Sequence, residues 1–266
     1  MKKIRIFDSL SHPTVSGKWK PLSINPVIKN ANFKFLVNEM KKNKIYKTLA
    51  VGLDNFEGYS HKKFYDLCKN FRELIPVAGL NPIKSSEKIA DEIYYLKKIG
   101  YRIIKLHPRI SNFSIEGKKL ISTIKAIEEQ NMKLLFCCYQ HFSLKHPQEK
   151  DFLLNLIKLF KICKKIKVVL LHGGSTQVMN FAEFVRANPE RFLLDLSMTM
   201  FKYNKSSIDL DIKFLFNNFD ERICIGSDFP EYSHSELRNR FNFFSKGLNK
   251  KKVENIAFKN LEKFLT

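Results

Sequence analysis

Eight short, mostly apolar runs recur along the chain, each ending in small or polar residues and each followed by a stretch with helical spacing. Strands that are apolar throughout belong in a sheet covered on both faces, and an eightfold alternation with helices predicts a (β/α)8 or TIM barrel. The strands are expected over 4–12, 46–54, 74–82, 102–108, 132–138, 167–174, 192–197 and 222–228, with helices over 33–44, 61–71, 85–100, 115–130, 151–164, 180–188, 212–218 and 253–264. Ser85-Ser86-Glu87 reads as the cap of the third helix and Gly100 as its stop. A loop runs through Trp19 and Pro26. The 266 residues, 44% of them hydrophobic, suffice for one well-filled core, so a single domain over 1–266 is expected.

Composition narrows the class of function. The N-terminal apolar run meets Asp8 too early for a signal peptide, and no uncharged stretch is long enough to span a bilayer, so a cytoplasmic protein without membrane contact is expected. Five cysteines with no C-x-x-C pair point to reduced thiols. The net charge of +21 raises nucleic acid or an acidic substrate as partners. Its lysines are spread over nearly every helical segment, which reads as solvated helix faces. Nucleic-acid binding therefore ranks last, and it would show as salt-sensitive association. A homo-oligomer is compatible with such a chain.

In a barrel of this kind, chemistry gathers at the C-terminal ends of the strands. The last strand carries the sharpest signal: Ile223-Cys224-Ile225 ends in Gly226-Ser227-Asp228-Phe229-Pro230, so a buried strand delivers the carboxylate of Asp228 to a loop. Other polar strand-end residues are Asp8 and His12, Lys105 and His107, Cys137 or Cys138, and His172 before two glycines. Histidine titrates near neutrality and binds divalent metals, while a carboxylate orients water, accepts its proton or ligates a metal. Asp228 and His172 are thus the candidate catalytic pair, and metal-free base chemistry by His and Asp stays open. Lys105 lies in an apolar strand, where it should reach into the mouth or pair with Asp8 or Asp195. His107 and Arg109 suit a carboxylate or phosphate at the rim, or a surface role. Cys137 and Cys138 point in opposite directions and read as buried thiols. His141, His146 and His234 read as loop residues without a task.

Asp8-Ser-Leu-Ser-His12, Lys105-Leu-His-Pro, Leu171-His-Gly-Gly, Gly226-Ser-Asp-Phe-Pro and Asn255-Ile-Ala-Phe-Lys-Asn-Leu, in this order, resemble the amidohydrolase-related family, a branch of the metal-dependent hydrolase superfamily that includes decarboxylases and lactonases. Its usual pattern is Asp-x-His-x-His on the first strand, a His ending the fifth, a His ending the sixth and an Asp on the eighth. Here Leu10 replaces the first His of the pair and Cys137 stands in place of the fifth-strand His.

The resemblance implies a hydrolase acting on a small, anionic ester, lactone or amide, with Asp228 activating water and His172 as a second acid or base. Lys105, His107 and Arg109 would bind the substrate. It also implies one divalent metal, zinc or manganese, held by His12, Asp228 and Cys137, or else a site without metal like that of lactonases in which basic residues hold the substrate. Alternatives are a metal-dependent decarboxylase on the same site and a non-catalytic barrel that binds or assembles with a partner.

Overall fold

The computed structural model describes residues 4–19, 30–54, 56–83, 88–140 and 151–266. Eight parallel strands, β1 (Ile6–Ser11), β2 (Ile45–Val51), β3 (Leu74–Leu80), β4 (Ile103–Leu106), β5 (Lys133–Cys137), β6 (Val168–Leu171), β7 (Phe192–Asp195) and β8 (Ile223–Cys224), lie in one sheet in chain order. Helices α1 (Phe33–Lys42), α2 (His61–Lys69), α3 (Ile89–Ile99), α4 (Pro108–Ser111) and α5 (Lys118–Glu129) follow the first four strands. The later strands are followed by α6 (Phe152–Ile162), α7 (Val178–Ala187), α8 (Thr199–Lys202), α9 (Ile208–Asn218), α10 (His234–Ser245), α11 (Lys250–Glu254) and α12 (Asn260–Leu265). This is the TIM barrel that the alternation predicts. No helix of the described residues is long and apolar enough to cross a membrane.

Several helices open on a side-chain cap, and most bury an apolar stripe. Asn32 caps α1 by accepting from Phe35 N at 2.7 Å, and Leu36, Val37 and Met40 face the sheet. The call on Ser85-Ser86-Glu87 falls outside the described residues; the residue capping α3 is Lys88, whose side chain makes no capping bond. The expected last helix is interrupted. A π turn, Asn255–Lys259, separates α11 from α12, and Asn260 Nδ2 donates to the Asp220 and Ile223 carbonyls at 2.5 and 2.8 Å. Those bonds pin the wide turn to the base of β8.

The ring closes through residues beyond the two that form β8. Ser9 N donates to Ile225 O at 3.0 Å, Asp228 N to Leu10 O at 2.9 Å and His12 N to Phe229 O at 2.6 Å. Gly226 permits this approach, because a Cβ there would stand 2.4 Å from Ser9 Oγ and 2.9 Å from Leu10 N. Asp8 fastens the same seam. Fully buried, it accepts from Leu10 N at 3.0 Å, Ser227 N at 2.9 Å, Ser227 Oγ at 2.6 Å and His234 Nε2 at 3.1 Å.

His234 is therefore not a loop residue. It opens α10, which a Ser233–Glu236 capping box starts, and its ring stacks on Phe229 at 5.4 Å. Replacing Asp8 by Ala would strand four buried donors. Asp8→Ala should lower unfolding free energy by at least about 3 kcal/mol, read from urea denaturation, and Asp8→Asn by clearly less.

Candidate active site

Three consecutive strand tips turn through the left-handed region: His172 (φ 64) with Gly173 and Gly174 after β6, Met198 (φ 61) after β7, and Asp228 (φ 54) after β8. For a residue with a Cβ this conformation is unfavourable, and it recurs where a side chain must be aimed. A cavity at these tips is lined by His12, Lys105, His107, Arg109, Ile110, His172, Met198, Asp228 and Glu231. The structure thus brings together all but one of the site residues expected from the sequence. Cys137 is the exception: it is not part of this lining and packs with Tyr139 and Met198, and Cys138 lies in the main core.

The hydrogen bonds fix which face each imidazole shows. Nδ1 of His12 lies 3.2 Å from the Val51 carbonyl, which only accepts, so Nδ1 carries the proton and Nε2 the lone pair. That lone pair receives Lys105 Nζ at 3.1 Å. In His172, Nδ1 faces the Ser197 carbonyl at 3.3 Å and Ser197 Oγ at 3.1 Å, while Ser197 Oγ donates to Asp195. Nε2 of His172 is again the lone-pair nitrogen. His107 has the opposite polarity. As the cap of α4 it accepts from Ile110 N through Nδ1 at 3.2 Å, which leaves Nε2–H as a donor.

Charge follows from burial. Burial pushes the His12, His107 and His172 rings down, and the Lys105 cation pushes them the same way; His172 falls to about 4. All three are therefore neutral at pH 7. Burial would raise the Asp228 carboxyl, but the His12 ring 3.4 Å away and His172, once protonated at low pH, together with the Lys105 cation reverse this and hold it below the usual carboxylate range. Lys105, 2% exposed, is lowered by burial against the pull of Cys137, Asp228 and Asp195.

Lys105 does not pair with Asp8 or Asp195. Asp195 is a framework carboxylate: it accepts from Ser9 Oγ at 2.5 Å, His172 N at 3.1 Å and Ser197 N at 3.2 Å, and burial pushes its carboxyl up to about 6. The lysine's contact is His12, a pairing between strands 93 positions apart that no local pattern announces.

The His172 shift carries a stability prediction with a definite sign. Its folded pKa of about 4 lies below the ordinary 6.5, so the unfolded chain takes up the proton first. The corresponding stability is complete above pH 6.5 and is lost as the pH falls toward 4, about 3 kcal/mol for a fully buried ring. Urea denaturation across this window should show the loss, and His172→Asn should flatten it in part, since His12 and His107 act in the same direction.

The donor set is a poor fit to the metal that the sequence resemblance implies. A catalytic zinc needs three protein donors around an open position. Among the described residues no three His, Cys, Asp or Glu side chains converge in this way. His12 Nε2, the nitrogen left to bind a metal, faces the amine of Lys105. Burial raises the Cys137 thiol above its ordinary value, which keeps it protonated at neutral pH. As arranged, His12, Asp228 and Cys137 do not fit a bound zinc or manganese.

Several residues of the mouth were not anticipated. Glu231 is 4% exposed on the cavity wall, and its Oε1 accepts from Trp19 Nε1 at 2.8 Å. Tyr139 lies beneath two cations, with the Arg109 guanidinium 5.2 Å and Lys202 Nζ 4.8 Å from its ring centre. The Asp-Phe-Pro-Glu run, with a second carboxylate in the turn after Asp228, was the available signal for Glu231.

No family model and no curated protein sequence matches the chain. Solved structures do match, over 98% of the chain. An uncharacterized TIM-barrel protein from Bordetella bronchiseptica is similar with a TM-score of 0.78 at 15% identity, covering 98% of each chain. A probable 2-pyrone-4,6-dicarboxylic acid hydrolase from Acinetobacter baumannii, with citric acid bound, gives 0.72 at 12% identity over 98% of this chain and 99% of that one. The 5-carboxyvanillate decarboxylase of Sphingomonas paucimobilis gives 0.66 at 10%, covering 98% of each. The chain therefore has the barrel fold of these structures, which is also the fold that the sequence resemblance implies.

Proposed function

We propose that this protein is an amidohydrolase-related hydrolase that cleaves an ester, lactone or amide in a small anionic substrate. The observation that carries the reading is Asp228: a buried carboxylate, held ionised, on the wall of a cavity whose other ionisable groups are a lysine, an arginine, three neutral imidazoles and Glu231. Asp228 accepts a proton from water as the water oxygen adds to the carbonyl carbon, and the lone pair of His172 Nε2 orients that water. The oxyanion that forms faces the Lys105 ammonium and the Nε2–H of His107, and as it collapses the carbonyl carbon's bond to the leaving oxygen or nitrogen breaks while the proton held by Asp228 passes to the leaving group. His172 is thus an acceptor in this scheme, since its only ring proton is committed to Ser197. Arg109 at the rim holds the anionic group of the substrate.

The likeness in fold to a probable 2-pyrone-4,6-dicarboxylic acid hydrolase supports a cyclic ester as one substrate form. The test is a hydrolysis panel: 2-pyrone-4,6-dicarboxylate, other lactones and esters bearing carboxylates, and their neutral counterparts, followed by absorbance and by proton release. Carboxylate-bearing members should be turned over, and neutral counterparts at least about tenfold more slowly, as expected for a site whose lysine and arginine lose their anion. No turnover of any member overturns the reading.

A further inference from the structure

A second cavity, of about 660 Å³, lies at the opposite end of the barrel from the strand tips, under the entries to β6, β7 and β8 and against α12. Its volume falls in the range that holds a metabolite-sized ligand, roughly 300–1,000 Å³. Its lining includes Lys167 and Arg222, the residues just before β6 and β8, with Lys259 and Lys263 around the start of α12. Lys259 is held by Glu254 at 2.6 Å. Of the lining carboxylates, Glu262 accepts from the Tyr46 hydroxyl at 2.5 Å and Glu221 faces Lys251 at 3.3 Å, which leaves Glu190 alone to set against Lys167, Arg222 and Lys263. The balance is cationic.

Arg222 carries the argument furthest. It is half-buried, and its Nε is closed off from water with no acceptor among the described residues. Its backbone is fixed on both sides, Arg222 N donating to Phe219 O at 2.8 Å and Arg222 O accepting from Leu194 N at 3.0 Å, so a rigid segment presents the guanidinium. An unmet buried donor is costly, and an anion in the cavity meets it. Lys167 adds to the positive field: burial and the Lys167 charge both push the Lys133 ammonium down. The rest of the lining is partly apolar, with Phe192, Leu193 and Phe264. Phosphate suits this set better than carboxylate, because it carries nearly two charges on three acceptor oxygens and a guanidinium binds two of them at once.

We propose that this cavity binds a small organic phosphate, with Arg222, Lys167 and Lys263 on its phosphoryl oxygens and its carbon portion against Phe192 and Phe264. The site is separate from the strand tips and does not depend on the hydrolase reading.

The probes are adenosine 5′-monophosphate, ribose 5-phosphate, inorganic phosphate and adenosine, titrated calorimetrically into the full chain at about 0.15 M salt, where loose surface attraction is screened. One of the two organic phosphates should bind once per chain and at least about tenfold more tightly than inorganic phosphate or adenosine. The tighter of the two identifies the carbon portion. Arg222→Gln should weaken that binding at least about tenfold, the scale of charge-assisted hydrogen bonds. Arg109→Gln, at the strand tips, should leave it within about twofold, as expected for distant sites. Melting curves report whether Arg222→Gln folds; if it does not, Lys263→Gln decides, since Lys263 is exposed on α12, and it should weaken binding about threefold or more. The proposal is overturned by no binding of either organic phosphate, by binding no tighter than that of inorganic phosphate, by an affinity unchanged in the deciding variant, or by a loss in Arg109→Gln instead.

Discussion

Asp228→Asn should reduce kcat for the best substrate of the hydrolysis panel by about 10²–10⁴-fold, the range of a lost general base, while leaving the melting temperature close to that of the wild type. The substitution is chosen for its backbone as well as its charge. Asp228 sits at φ 54, and asparagine tolerates that region better than any other non-glycine residue. Alanine would confound strain with chemistry. KM should move little, because the carboxylate acts on water and not on the anionic group. Since Asp228 titrates below the usual carboxylate range, the wild-type rate should show no loss from this group as pH falls from 7 to 5. A variant that keeps more than a tenth of the rate would remove Asp228 from the base role.

Lys105→Met should move activity and stability in opposite directions. The lysine is buried with an imidazole, not a carboxylate, as its hydrogen-bond partner. A methionine of similar length fills the same space without a charge to desolvate, so stability should rise by about 1–4 kcal/mol. Turnover should fall by about 10²–10³-fold, the loss associated with one donor to a forming oxyanion. The pH dependence adds a second sign. Lys105 is lowered from 10.5, so between its folded value and 10.5 the unfolded chain holds more protons, and wild-type stability rises with pH in that interval. The methionine variant should lack the rise. Equal losses of stability and activity would make Lys105 a structural residue.

Most of the barrel was legible because the strands are largely buried and so read as mostly apolar runs, unbroken in Val168–Leu171 and interrupted only by Lys105 in Ile103–Leu106. Strand tips were legible for the same reason: Gly226-Ser227-Asp228 and His172-Gly173-Gly174 mark where such a run must turn. Helix α10 was missed because its sequence, HSELRNRFNFFS, is mostly polar in its first half, where the capping box and not an apolar stripe defines the start. The Lys105–His12 contact, the two serine-bound carboxylates Asp8 and Asp195, and the Trp19–Glu231 bond were not legible at all. Each joins residues from distant strands or loops, and sequence periodicity carries information only about neighbours on one element.

The seam held by Asp8 bears on when the site comes into being. Ser227 and Asp8 are 219 positions apart, and the same junction sets Asp228 beside His12. Pairings of that separation are the slowest to form, and during synthesis the N-terminal strands wait for the last one. Until the eighth strand docks, the imidazole of His12 has no carboxylate opposite it. A nascent barrel can therefore be largely assembled and still lack the candidate site, which is completed in a single step as the ring shuts.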